Sequence, residues 1–92
     1  MTCGDFAQKI AQLQAITPFS VTSWWRSRQR NQDKGGHVDS LHLIGLAVDV
    51  ILDDWSELNT LTHYIKRIGL SYKPYSGNTH LHIQIPYQKD TN

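Results

Sequence analysis

The sequence predicts an α+β domain: a small, mostly antiparallel sheet with flanking helices. Two separated stretches, 5–16 and 54–68, place apolar residues at helical spacing. Short runs rich in β-branched, aromatic or continuous apolar residues lie between and after them. The resulting order of helix, strand, loop, strand, helix, strand, strand is not the regular alternation that builds a parallel sheet.

The first helix runs from Asp5 to about Ile16, with Phe6, Ala7, Ile10, Ala11, Leu13 and Ile16 on one face and Asp5 as its cap. Thr17-Pro18 ends it, because proline disfavours a helical residue before it. Phe19 to Trp24 reads as a strand. A polar loop with Arg26, Arg28, Arg30 and Lys34 follows, as far as Gly35-Gly36. Gly45 to Leu52 is an almost continuous apolar run, expected as a buried strand, with Asp49 inside it. Asp54 and Glu57 form a capping box for the second helix, whose buried stripe is Trp55, Leu58, Leu61, Ile65 and Ile68 and whose stop is Gly69. A short strand is expected around Leu70 to Tyr72, then a turn over Lys73 to Asn78. The last strand is His80 to Ile85, closed by Pro86, and the tail from Tyr87 to Asn92 is polar.

Ninety-two residues fit one domain, 1–92, and such a domain buries little more than about 60% of its unfolded surface, so a metal staple would help it. The formal charge of +1 gives no global pull toward nucleic acid or anionic membrane, and the cationic loop reads as a solvated one. Cys3 is the only cysteine, which excludes an internal disulfide and a thiolate cluster. No stretch reaches the roughly 20 apolar residues of a membrane span, and nothing resembles a signal peptide. The expectation is a monomer synthesised in the cytoplasm, needing a separate route to act outside it.

The chemistry starts from Asp49. A carboxylate inside an apolar strand needs a cation or several hydrogen bonds. A metal, an ion pair with an arginine such as Arg26, and an exposed strand edge are the three ways to satisfy it. On the last strand His80 and His82 share a face, while Leu81, Ile83 and Ile85 take the other. That pair is either the solvated side of an amphipathic strand or part of a metal cleft. His42, seven residues before Asp49, is a third nitrogen donor. Three N/O donors plus a water make the composition of a catalytic zinc site.

Ser40-Leu-His42-Leu-Ile-Gly45-Leu-Ala47-Val-Asp49 resembles the S-x-H-x-x-G-x-A-x-D signature of the zinc D-alanyl-D-alanine peptidases, matching all five specified positions. That family includes bacterial cell-wall carboxypeptidases and phage endolysins that cut peptidoglycan stem peptides. The flanks are similar too. Thr22 to Ser27 resembles the family's S-G-Y-R-S segment, Gly35-Gly36 its paired glycines, and His80-Leu-His82-Ile its closing H-x-H strand. The resemblance covers Val21 to Pro86 and implies the fold shared by these peptidases and hedgehog signalling domains.

Position by position, the resemblance implies zinc as cofactor, held by His42, Asp49 and His82. It implies that Arg26 faces the substrate carbonyl or carboxylate, with Ser40 as a secondary contact; otherwise Arg26 is a surface arginine beside two tryptophans. Many members carry Glu or Asp three residues before the last histidine as general base. That position is Thr79 here, and no acidic residue lies between Glu57 and Asp90, so His80 is the substitute base. Which of His80 and His82 binds zinc stays open, with His82 preferred for its apolar flanks; His37 and His63 look incidental. The expected activity is hydrolysis of peptidoglycan peptides by metal-activated water, as a D-Ala-D-Ala carboxypeptidase or an L-Ala-D-Glu-type endopeptidase. The other reading is a catalytically impaired zinc-binding module that recognises a peptide or a protein partner.

Overall fold

The computed structural model describes residues 1–24, 45–74 and 79–86. Two helices and four strands follow in the order α1 (Cys3–Ile16), β1 (Phe19–Ser23), β2 (Ala47–Leu52), α2 (Leu58–Arg67), β3 (Ser71–Pro74) and β4 (Leu81–Gln84), with a 3-10 turn at Trp55–Glu57 before α2. The strands form one antiparallel sheet in the order β1-β2-β4-β3. This is the α+β architecture that the periodicities predict.

Helix α1 begins two residues earlier than its apolar face suggests. Thr2 is the N-cap and Asp5 the third helical residue of a reciprocal capping box: the Asp5 N–H donates to Thr2 Oγ1 (3.0 Å), and the Thr2 N–H donates to Asp5 Oδ2 (3.2 Å). Only Phe6, Ile10 and Leu13 of its apolar residues are buried, and Ala11 and Ile16 are exposed. Thr17 is buried in their place, with its N–H on the Leu13 carbonyl.

Asp54 does cap the second helical segment, accepting from the Ser56 N–H at 2.9 Å, but it starts the 3-10 turn and α2 proper begins at Leu58. Leu61 and Ile65 are fully buried, while Trp55, Leu58 and Ile68 pack around the rim of the core. Gly69 ends the helix at φ 85, the left-handed region that glycine enters without a Cβ penalty. The Lys9 ammonium then donates to the Ile68 carbonyl at 3.0 Å, tying α1 to the end of α2.

The sheet has two unlike faces. Val48, Val50 and Leu52 of β2 and Leu81 and Ile83 of β4 join Phe6, Ile10, Leu13, Leu61 and Ile65 in one buried cluster, so both helices cover this side. Strand alternation sends Ala47, Asp49, His82 and Gln84 to the other face. Strand β3 runs to Pro74, two residues past the expected stop at Tyr72, because its ladder with β4 pairs Lys73 with His82 and Pro74 with Leu81. Proline is tolerated there because β3 is an edge strand. Among the described residues no helix is long and apolar enough to cross a membrane.

Candidate functional site

Strand β2 lies between β1 and β4, so the carboxylate of Asp49 stands in the middle of the sheet. The exposed-edge account of this residue is therefore excluded: Asp49 is 5% exposed. It needs polar partners, and antiparallel pairing supplies one. Asp49 is the register partner of His82, which puts their side chains on one face within reach of each other. The His82 Nδ1 lies 2.8 Å from Asp49 Oδ1. At the β1 side, the register shifts between Val21 and Ser23, and Thr22 in that bulge donates its hydroxyl to the Asp49 carbonyl at 3.1 Å. Such bulges re-aim side chains next to functional sites.

A second contact holds the His82 ring. Its Nε2 lies 2.8 Å from Gln84 Oε1, two residues along the same strand. Beside this group opens a cleft of about 360 Å³ lined by Ser71, Tyr72, Lys73, His82 and Gln84. His80 sits just before β4, with Nδ1 3.2 Å from the Thr79 hydroxyl. His63 is exposed on α2, edge-on to the Tyr64 ring.

Of the candidate residues, the fold brings Asp49 and His82 into contact and sets His80 at the mouth of the same strand. Arg26, His37, Ser40 and His42 lie outside the described residues. The segment that carries them is flanked by Trp24 and Gly45, which are joined directly: the Trp24 indole Nε1 donates to the Gly45 carbonyl at 3.0 Å. Trp24 also packs edge-on against Phe6 at 5.9 Å. Gly45 holds φ 74, which accounts for a glycine at that position of the signature.

The donor chemistry of the pair suits a transition-metal ion. One imidazole nitrogen and one carboxylate oxygen converge at 2.8 Å, whereas two ligands of a tetrahedral zinc site stand about 3.3 Å apart, given bond lengths of about 2.0–2.1 Å. Opening the pair by about half an ångström would make room for an ion in place of the hydrogen between them. Among the described residues no group of three or more His, Cys, Asp or Glu converges.

Periodicity in the sequence passed over two residues of this site. Gln84 could have been found from the period of two that links His80, His82 and Gln84. Lys73 could not, because it joins the cleft through the β3–β4 register alone.

Residues 2–84 match the family described as Peptidase M15. No curated protein and no solved structure matches the chain.

Proposed function

The chain belongs to the peptidase M15 family, and we propose that it is a zinc-dependent peptidase acting on peptidoglycan stem peptides. The observation that supports this reading best is the buried Asp49 carboxylate set against the His82 imidazole across two central strands. A carboxylate buried in the middle of a small sheet costs free energy unless it is paired, and a metal ion beside the imidazole would be such a partner.

In this reading His42, Asp49 and His82 hold the ion. Zinc bound there would supply Lewis-acid polarisation of the scissile carbonyl and a water of pKa lowered to about 7. The protein's own residues do the rest. Arg26 faces the oxygen on which negative charge develops, or grips the peptide's terminal carboxylate, and Ser40 adds a secondary contact. His80 takes the proton that an acidic residue takes in many relatives. Thr79 keeps a part in that exchange, although it cannot itself act as the base. If His80 Nδ1–H donates to the Thr79 hydroxyl, the lone pair is left on Nε2, which is the tautomer a proton acceptor needs. The cleft beside His82 is the place for the peptide.

The test is metal analysis of the purified protein combined with its action on purified muropeptides. The expected result is about one zinc per chain and release of a shortened stem peptide. Protein that carries no zinc and gains no thermal stability from added zinc sinks the reading. Zinc without cleavage would identify a binding module instead.

A further inference from the structure

The imidazole of His82 is held on both of its nitrogens. Nδ1 faces Asp49 Oδ1 at 2.8 Å, and Nε2 faces Gln84 Oε1 at 2.8 Å. Gln84 follows His82 by two residues in β4, so both side chains leave the strand on the same face, and both line the cleft. A carboxamide oxygen only accepts hydrogen bonds, so Nε2 must carry a hydrogen to make the second contact. A neutral imidazole has one N–H. With that hydrogen on Nε2, the lone pair falls on Nδ1, the nitrogen turned toward the Asp49 carboxylate. With an ion in place of the hydrogen that Nδ1 shares with Asp49, the contact with Gln84 keeps the ring's one hydrogen on Nε2 and leaves the Nδ1 lone pair for that ion.

We propose that Gln84 is a positioning residue of the metal centre: its side-chain oxygen accepts the Nε2–H of His82 and so presents Nδ1 to an ion shared with Asp49. This rests on the zinc reading of Asp49 and His82 given above, and it adds a residue that lies outside the signature motif. The physical basis is general. A metal-bound histidine donates its other N–H to an outer partner that fixes the tautomer and the ring plane, and losing that partner typically costs about 10–100-fold in metal affinity. Gln84 supplies this partner from the same strand. Its placement depends on strand alternation alone and on no distant loop.

Zinc affinity measured by competition with a chromogenic chelator at one fixed pH tests the assignment, using wild type, Gln84→Met and Gln84→Glu. Methionine keeps the length but removes the strong acceptor, and affinity should fall by about 10–100-fold. Glutamate restores an acceptor at the same position and should bring affinity back to within a few-fold of wild type. The melting curves of the metal-free wild type and Gln84→Met should coincide, since Gln84 is only half-buried and is not part of the core. Long-range ¹⁵N–¹H correlation spectra of the zinc-loaded wild type should show the His82 hydrogen on Nε2. Wild-type affinity in Gln84→Met overturns the proposal, as does a hydrogen found on Nδ1, where a reversed amide donating to Nε2 would place it. Failure of the zinc reading itself looks different, because the wild type would then bind no zinc at all.

Discussion

At the residue scale, His80 and His82 are the informative pair, because two positions along the chain separate a histidine inside the ladder from one just before it. His82 is set opposite Asp49 within the ladder, whereas His80 precedes the ladder and contacts Thr79. His82→Ala should release zinc, and His80→Ala should retain zinc while losing most turnover. The reverse pattern, read by metal content and steady-state rates, would exchange the two roles. Equal zinc loss in both variants would make both of them ligands and leave the base unassigned. Arg26 separates an enzyme from a binding module. If it stabilises a developing oxyanion, Arg26→Ala should keep fold and zinc and lose about 10²-fold or more in kcat. A lysine there should rescue only in part, since it lacks the planar fork. If Arg26 grips a terminal carboxylate throughout, the loss should appear in KM, and amidating the substrate should mimic the mutation.

At the scale of elements, helix ends respond to acid in a direction set by their caps. Hydrogen bonding from Thr2, first through its backbone N–H and then through its side chain, holds the Asp5 carboxyl below its ordinary value of 3.8. The Ser56 side chain and then its backbone N–H do the same for Asp54. A carboxyl whose pKa is lower in the folded chain adds stability that is complete above its ordinary value and fades as the pH falls through the folded value. Both groups are exposed, so the effect is small and screened by solvent. The melting-temperature gap between wild type and Asp5→Asn should therefore be widest at neutral pH and close once the pH drops well below 3.8. A gap that widened in acid would contradict this sign. Sequence spacing identified both helices correctly but misplaced both starts. Asp5 looked like a cap because it stands just before Phe6, yet Thr2 reaches back to serve three residues earlier. In the same way, Asp54 caps a 3-10 turn that periodicity cannot distinguish from the first turn of α2.

At the scale of the molecule, the sheet divides labour between its faces. One side is sealed by two helices over a single apolar cluster; the other carries Asp49, His82 and Gln84. A chain this short has little core to spare, so an ion on the second face should act as a structural staple as well as a reagent. Saturating zinc at about 100 times its Kd would add about 2.7 kcal/mol, and for a domain of this size that corresponds to a rise in Tm of about 10–20 °C. Chelation should reverse it in wild type, and Asp49→Ala should melt at the same temperature with or without the chelator. A chelator effect that persisted in Asp49→Ala would move the metal elsewhere.

Sequence by itself determined the α+β class, the two helices and the apolar run that becomes β2, and it singled out Asp49, His80 and His82 as candidate site residues. These follow from local spacing, from the 3.6 and 2.0 periodicities and from the cost of a charge inside an apolar run. Tertiary structure alone decided that β2 is a central strand, that Asp49 and not a neighbour meets His82, and that Gln84 and Lys73 border the same cleft. Strand order and register join residues 33 positions apart in the case of Asp49 and His82. A slip of one residue would turn the histidine to the opposite face. What prevents that slip is the apolar side of the sheet, where Val48 pairs with Ile83 and Val50 with Leu81 beneath the two helices. The core thus fixes the register, and the register places the carboxylate against the imidazole.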